Sequence, residues 1–374
     1  MDENPLRKTI NMKPFIVHSP ARVCLYGDHQ DYLFLPVIAG TIDRYMHFEV
    51  SASTKQSFEF NLADLGQKFS IPMDPSLAYK QEPGTIDFFR AGLRVAGRHG
   101  YIPKYGLCLR ITSNIPINAG VSSSSALMVG WIYTLAFAFN DGELPSEERL
   151  GQMAFEAEVT EHQSPGGQMD QYTIAHGGLV HIKTGENIQV NPLPKPKFNL
   201  ILADSKIKKQ TLSTIGSVRE NTTRAFEQIR QTDQRFSLTQ TTISDLNDKL
   251  HLIPSELRHY AVAAVRNHEI TKTALKELSS PEPKISKLGV LMSAHHRELS
   301  HNLKVSHPKI DRWIELGLKN GAYGAKIVGS GHGGCMIFMV PNDISHEFCH
   351  LLKQAGVPAA YPINIEKACH HVSG

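Results

Sequence analysis

Residues 114–130 read N-I-P-I-N-A-G-V-S-S-S-S-A-L-M-V-G: a proline, a glycine turn, four serines and then an apolar run of helical length. This order puts a pliable backbone and a row of hydroxyls at the positive end of a helix, where unpaired N–H groups and the helix dipole favour an anion. The missing Cβ of Gly120 lets a phosphate come close to the main chain. The segment reads as a phosphate cradle running from Asn118 through Ala119, Gly120, Val121, Ser122, Ser123 and Ser124 to Ser125. The plainer alternative is a Ser-rich N-cap before an ordinary buried helix. The chain has no Gly-x-x-x-x-Gly-Lys-Ser/Thr and no Gly-x-Gly-x-x-Gly opening a helix after the first strand, so neither common phosphate loop is in use. A second cluster, Gly329-Ser330-Gly331-His332-Gly333-Gly334, precedes the strand-like Cys335 to Val340. Two distant glycine-rich turns point to one nucleotide gripped from both sides.

The bulk numbers leave room for this. A chain of 374 residues exceeds the usual single core and implies two domains, and 41% hydrophobic with 20% charged residues is an ordinary globular composition. A net charge of +3, scattered rather than striped, gives no footprint for nucleic acid. No apolar stretch has spanning length, and the first twenty residues lack a continuous apolar core of the signal type. Five cysteines without a Cys-x-x-Cys pair imply a reducing compartment, the cytoplasm, and no structural zinc. Of the 19 histidines, the pair His295-His296 reads as solvated surface on a polar helix, and His370-His371 as a solvated tail. Monomer and dimer are both compatible with the sequence.

Residues 15–60 alternate as strands around the polar knot D-H-Q-D-Y. Helical spacing covers Ile86 to His99, Leu107 to Thr112 reads as a strand, and Ser124 to Asn140 is apolar nearly all round and so a buried helix. Pro145-Ser146-Glu147-Glu148 opens another helix. The Pro-rich stretch 191–197 marks a domain boundary, giving units of 1–195 and 196–374. Beyond it come a strand at 199–204 and helices near 209–232, 255–278, 285–303 and 308–319. The pattern is α+β, with strands first and helices later.

Residues 157–172 carry a helix into a Pro165-Gly166-Gly167 turn and out again at Asp170. A carboxylate just after two glycines can approach a ligand closely, although an N-cap role for Asp170 fits the segment equally well. Phosphoryl transfer from a nucleotide needs a phosphate cradle, a magnesium ion on hard oxygen ligands, a cation for the migrating charge and a carboxylate near the attacking hydroxyl. The cradle, Glu158, Arg22 and Asp170 supply candidates for all four. The chemistry predicts a kinase using ATP and Mg2+.

Three separated motifs resemble those of the GHMP kinase superfamily, which includes galactokinase, homoserine kinase, mevalonate kinase and phosphomevalonate kinase. Residues 19–32, S-P-A-R-V-C-L-Y-G-D-H-Q-D-Y, resemble the first galactokinase motif, Pro-Gly-Arg-Val-Asn-Leu-Ile-Gly-Glu-His-Thr-Asp-Tyr; Pro116 to Ala126 resembles the second motif, and Val328 to Cys335 the third. The resemblance implies an α+β two-domain fold, an N-terminal unit like ribosomal protein S5 and a C-terminal α/β sandwich, with the active site in the cleft between them. It implies Asp170 as the catalytic aspartate and Arg22 as its partner on the transferring phosphoryl group. By the same resemblance, Ser124 and Glu158 are magnesium ligands, Gly331 is part of the grip on ATP, and Asp28, His29, Asp31 and Gly167 touch sugar hydroxyls. The implied reaction is galactose to galactose 1-phosphate. Whether Asp170 removes the hydroxyl proton or mainly stabilises charge is open within that mechanism.

The departures bear on substrate. The family's Glu is Asp28 here, Leu33 to Ala39 lacks the family's glycine, and Gly216 stands where galactokinases carry a sugar-contacting tyrosine. Gly166-Gly167 resembles the fucokinase and heptose kinase branch, and Val305-Ser306-His307-Pro308 the mevalonate kinases. The alternatives are therefore a kinase for L-fucose, arabinose, a uronic acid or a heptose phosphate, a mevalonate-type kinase, or a sugar sensor. Retention of Arg22, Ser124, Glu158 and Asp170 speaks against the sensor.

Overall fold

The computed structural model describes residues 12–74, 76, 84–117, 119–195, 198–209 and 211–373. The alternating N-terminal region forms β1 (Phe15–Tyr26), β2 (Val37–Ser53), β3 (Ser57–Leu62), β4 (Gln67–Pro72) and, after α1 (Thr85–Arg98), β5 (Gly106–Ser113). Then come α2 (Ser123–Phe139), α3 (Glu147–Phe155), α4 (Met169–His176), β6 (Leu179–Lys183) and β7 (Gln189–Leu193). These strands make one sheet in which β1 pairs with β2, β2 with β5 and β6, and β3 runs parallel to β5. A register shift between Pro20 and Ala21 breaks the β1–β2 ladder just before Arg22 and re-aims that strand, as a bulge does.

α2 is apolar all round because it is covered all round. Trp131 packs edge-on against Phe58 and Phe60, and its indole N–H donates to the Phe89 carbonyl at 2.9 Å. Gly130 lets the helix lie on the sheet, since a Cβ there would come within 2.3 Å of the Phe48 ring.

The second half builds β8 (Asn199–Asp204), α5 (Thr211–Thr232), α6 (Ile243–Lys249), α7 (Arg258–Leu278), α8 (Ile285–Arg297) and α9 (Pro308–Lys319). It continues with β9 (Gly324–Ile327), β10 (Cys335–Val340), α10 (Ser345–Gln354), β11 (Ala359–Ile363) and β12 (His370–Ser373). A four-stranded antiparallel sheet runs β11-β8-β10-β9, with α9 and α10 packed against it. The order is thus less segregated than strands first and helices later: β9, β11 and β12 are too short for alternation to reveal them. β7 also extends into the Pro-rich stretch that reads as a break, tolerated because β7 pairs with β6 alone in this sheet.

Two histidine readings need correction. His295 and His296 are buried, because the last turn of α8 wedges between β9 and the turn after β1; His296 Nε2 lies 3.1 Å from Asp311. His370 and His371 belong to β12, which pairs antiparallel with β1, and the His371 ring packs 4.1 Å from that of Phe137. Across the two sheets, Tyr26 donates to the Leu288 carbonyl at 2.7 Å, and Gln30 accepts from Thr271 at 3.0 Å. These bonds fix the polar knot after β1 against α7 and α8. Among the described residues no helix is long and apolar enough to cross a membrane.

Candidate active site

The motifs converge on a cavity of about 170 Å³ whose lining includes Arg22, Asp31, Ser124, Glu158, Gly167 and Asp170. A larger groove of about 850 Å³ lies over Phe15, Val50 and Phe69 of the first sheet and shares no residue with this cavity. The smaller cavity, not the groove, holds the motif residues Arg22, Ser124, Glu158 and Asp170.

Arg22 and Asp170, 148 residues apart, form a bidentate pair: Nε donates to Oδ1 at 2.7 Å and Nη2 to Oδ2 at 2.7 Å. Burial works against the Arg22 charge, but Asp170 beside it prevails and holds the guanidinium above its usual range. The remaining Arg22 nitrogen, Nη1, donates to the Gly120 carbonyl at 2.7 Å. Asp170 is not a helix cap; it is the second residue of α4, whose N-cap is Gln168. Arginine, aspartate and cradle are thus one unit.

Ser122 holds the N-cap position of α2 in a left-handed conformation, φ 60°, yet its side chain caps nothing. Its hydroxyl donates to Asp170 Oδ2 instead. The plain capping alternative is therefore not what Ser122 does, and its hydroxyl takes none of the first-turn N–H groups. Ala119 and Val121 are buried beneath this turn, and Val121 accepts from the Arg22 amide at 3.2 Å. Asn118 lies outside the described residues.

Glu158 falls in a π-helical turn, Glu156–Thr160, of the kind that often re-aims a side chain at a functional site. Burial pushes its carboxyl up, against Ser125, Ser124 and Gln171, whose hydrogen bonds pull it down; Gln171 Nε2 donates to it at 2.6 Å. One carboxylate with adjacent hydroxyls is a hard-oxygen set that suits Mg2+ once phosphates complete the shell. Among the described residues no group of three or more His, Cys, Asp or Glu is placed to hold a metal on its own.

All four candidate sugar contacts line this cavity, each with different partners. Asp31 faces the cavity: its Oδ2 accepts from the Met169 amide at 3.1 Å, and burial, then the nearby Asp170, pushes its carboxyl up to about 6. Gly167 is what admits it, since a Cβ there would lie 2.0 Å from Asp31 Oδ2. His29 also lines the cavity, but both ring nitrogens have partners. Nε2 donates to the Ser330 carbonyl at 3.2 Å, so Nδ1 accepts from Tyr32 Oη at 2.7 Å; burial lowers this neutral ring to about 4. Asp28 is held from behind by Lys326 Nζ at 2.5 Å and by the Gly329 amide at 2.8 Å. Burial opposes its charge, yet Lys326 outweighs that and sets it at about 2.

The second glycine turn packs directly on the first. Cys335 N donates to the Ala119 carbonyl at 2.7 Å, and a Cβ on Gly329 would lie 2.7 Å from the Gly120 carbonyl. Gly331 itself faces the Val305 carbonyl, 2.1 Å from where its Cβ would be, so its missing side chain serves that contact. Lys209 and Lys326 are the site residues that sequence reasoning passes over. Neither belongs to a spacing pattern; only the fold brings Lys209 to Gly120 of the cradle and Lys326 to Asp28.

The chain matches the family models for the GHMP kinase N-terminal domain over residues 87–178, the GHMP kinase C-terminal region over 274–350, and the galactokinase galactose-binding signature over 6–52. Galactokinase of Pyrococcus furiosus is 27% identical over 338 residues, 89% of this chain and 90% of that protein. Mevalonate kinase of Methanocaldococcus jannaschii is 26% identical over 353 residues, 91% of this chain and 97% of that protein. The crystal structure of Lactococcus lactis galactokinase complexed with galactose has the same fold, with a TM-score of 0.84 at 20% identity, over 96% of this chain and 95% of that one.

The family models and the kinase relatives make this chain an ATP-dependent phosphotransferase with an alcohol group as acceptor. The chain belongs to the GHMP kinases, on their galactokinase-like side.

Proposed function

We propose that this kinase transfers the γ-phosphoryl group of ATP to the anomeric hydroxyl of galactose, giving galactose 1-phosphate and ADP. The observation that carries the reading is the Arg22–Asp170 pair tied to Gly120 at the uncapped start of α2. It sets a carboxylate, a guanidinium and the N-terminal turn of a helix around one point. Galactose as the acceptor is supported by the galactose-binding signature and by the galactokinase relatives.

In this reading the triphosphate lies on the α2 N-terminus. Asp170 Oδ1 carries one hydrogen bond and has a lone pair free to orient the sugar hydroxyl. A bond forms from that oxygen to the γ-phosphorus as the bond to the β,γ-bridging oxygen breaks, and the hydroxyl proton passes to Asp170. Arg22 steadies charge on the moving group. Glu158 and Ser124 would hold Mg2+, which when bound neutralises phosphate charge. Asp31 and the Gly167 backbone form the sugar floor, and His29 shapes it.

We also propose a unit boundary near residue 195, with β12 returning to the first sheet, and a cytoplasmic setting supported by five free cysteines.

The test is ADP release with Mg-ATP against galactose, L-fucose, L-arabinose, glucuronate, galacturonate, a heptose phosphate and mevalonate, each beside Asp170→Asn. Galactose turnover that vanishes in the variant is expected. Turnover of another acceptor would replace galactose. Binding of sugar and ATP without turnover would replace the kinase by a sensor.

A further inference from the structure

Lys209 follows β8, in a segment pinned along the second glycine turn. Ser205 N and Oγ both donate to the Gly334 carbonyl, at 3.0 and 2.6 Å, and Gly334 N donates to the Ile207 carbonyl at 3.0 Å. The Lys209 side chain runs from there between the two glycine turns. A Cβ on Gly334 would lie 2.8 Å from its Cδ, and a Cβ on Gly120 would lie 2.5 Å from its Nζ. Both glycines therefore make room for a lysine. The residue keeps part of its stem at the surface while its ammonium is buried.

An ammonium has three protons to donate, and among the described residues this one makes a single long hydrogen bond, 3.4 Å to the Val328 carbonyl. The nearby carboxylates are committed elsewhere, Asp170 to Arg22 and Asp28 to Lys326. A buried cation without its own counterion is costly unless a ligand supplies one. Burial, then the Arg22 charge, lowers this amine to about 8, as expected of a cation still lacking its anion. Arg22 grips Gly120 at its carbonyl, and Lys209 approaches the same residue from its Cα side.

Resting on the kinase reading above, we propose that Lys209 is a nucleotide-binding residue whose ammonium takes a β- or γ-phosphate oxygen of ATP at Gly120, opposite Arg22. Gly120 and Gly334 then make the channel for this cation.

The experiment compares wild type, Lys209→Met and Lys209→Arg by calorimetric binding of ATP, ADP and AMP, alongside turnover of galactose. Losing one charge-assisted hydrogen bond should weaken ATP roughly 10- to 100-fold in Lys209→Met. AMP should be unaffected, and Lys209→Arg should recover much of the loss. A contact that tightens during transfer will also lower kcat, whereas a packing role would not distinguish ATP from AMP. Should the methionine variant fail to fold, acetylation of wild-type lysines read by mass spectrometry decides alone. ATP should protect Lys209 several-fold where AMP does not, with exposed Lys208 as the internal reference.

Equal labelling of Lys209 with ATP and AMP, or unchanged ATP affinity in Lys209→Met, overturns the proposal while galactose turnover by wild type keeps the kinase. Protection of Lys209 without turnover of galactose keeps the proposal and rejects the acceptor. Wild type that neither binds ATP nor releases ADP overturns both.

Discussion

The Asp28–Lys326 pair gives the sharpest quantitative test. Both side chains are fully buried, their charged atoms are 2.5 Å apart, and Lys326 also donates to the Cys24 carbonyl at 3.0 Å. Neutral His295, which burial and then Lys326 lower to about 3, closes the surroundings. In such a setting the lone survivor of a broken pair is penalised more than the pair was worth, by about 3–5 kcal/mol. Lys326→Met leaves a buried carboxylate without its cation, and Asp28→Asn leaves a buried ammonium without its anion. At about 2 °C per kcal/mol for a large chain, each should lower the thermal midpoint by roughly 6–10 °C. The double variant removes both charges and should cost less than the two singles combined, by about 2 kcal/mol of coupling in a denaturant-melt cycle. Because the folded pKa of Asp28 is depressed, its contribution is present above about pH 4 and fades as pH falls through about 2. Additive losses would refute the buried-pair argument. A rise in galactose KM on Asp28→Asn that persists in the Lys326→Met background would show that Asp28 also contacts the sugar directly.

Asp31 titrates the other way. Its folded pKa of about 6 exceeds the unfolded value, so its stabilising contribution is full below about pH 4 and lost as pH rises through 6. Galactose binding by its ionised form should weaken as pH falls below about 6, and Asp31→Asn should flatten that dependence in a KM profile while raising the midpoint at pH 7.5. Gly167→Ala would drive a methyl into Asp31 and should raise galactose KM about tenfold or more, the cost of one misplaced charged hydrogen bond, with ATP affinity unchanged by calorimetry. Gly130→Ala would press on the Phe48 ring and should cost about 1–3 kcal/mol in denaturant melts with both KM values intact.

Much of this architecture could be read in the sequence where periodicity was long. The buried helix was expected at 124–140 and runs from Ser123 to Phe139, and the helices near 209–232 and 308–319 run from Thr211 to Thr232 and from Pro308 to Lys319. Where a helix changes winding the pattern does not show it: the expected 285–303 helix ends at Arg297 and continues as a π turn to Asn302. Residue type also hides burial. His295 reads as polar surface because a histidine on a polar stretch usually is, but the contact of α8 with β9 and β1 is a property of the fold and leaves no local mark.

The candidate site divides along the same line. Arg22, Ser124, Glu158 and Asp170 stand out because each sits in a motif whose chemistry asks for it, and the fold brings all four to one cavity. Their counterweights are Lys209, at the end of a lysine-rich stretch after a strand of the second sheet, and Lys326, within another, with nothing local to separate them from surface charge. The glycines show why. A turn rich in glycine says that something approaches the backbone, and sequence alone suggests a phosphate. Here the approaching groups are the other turn's carbonyls, the Val305 backbone and the stem of Lys209. The cradle is therefore a joint between two sheets before it is a ligand site. A change in either turn should alter how the domains meet as well as how nucleotide binds, since the same atoms serve both.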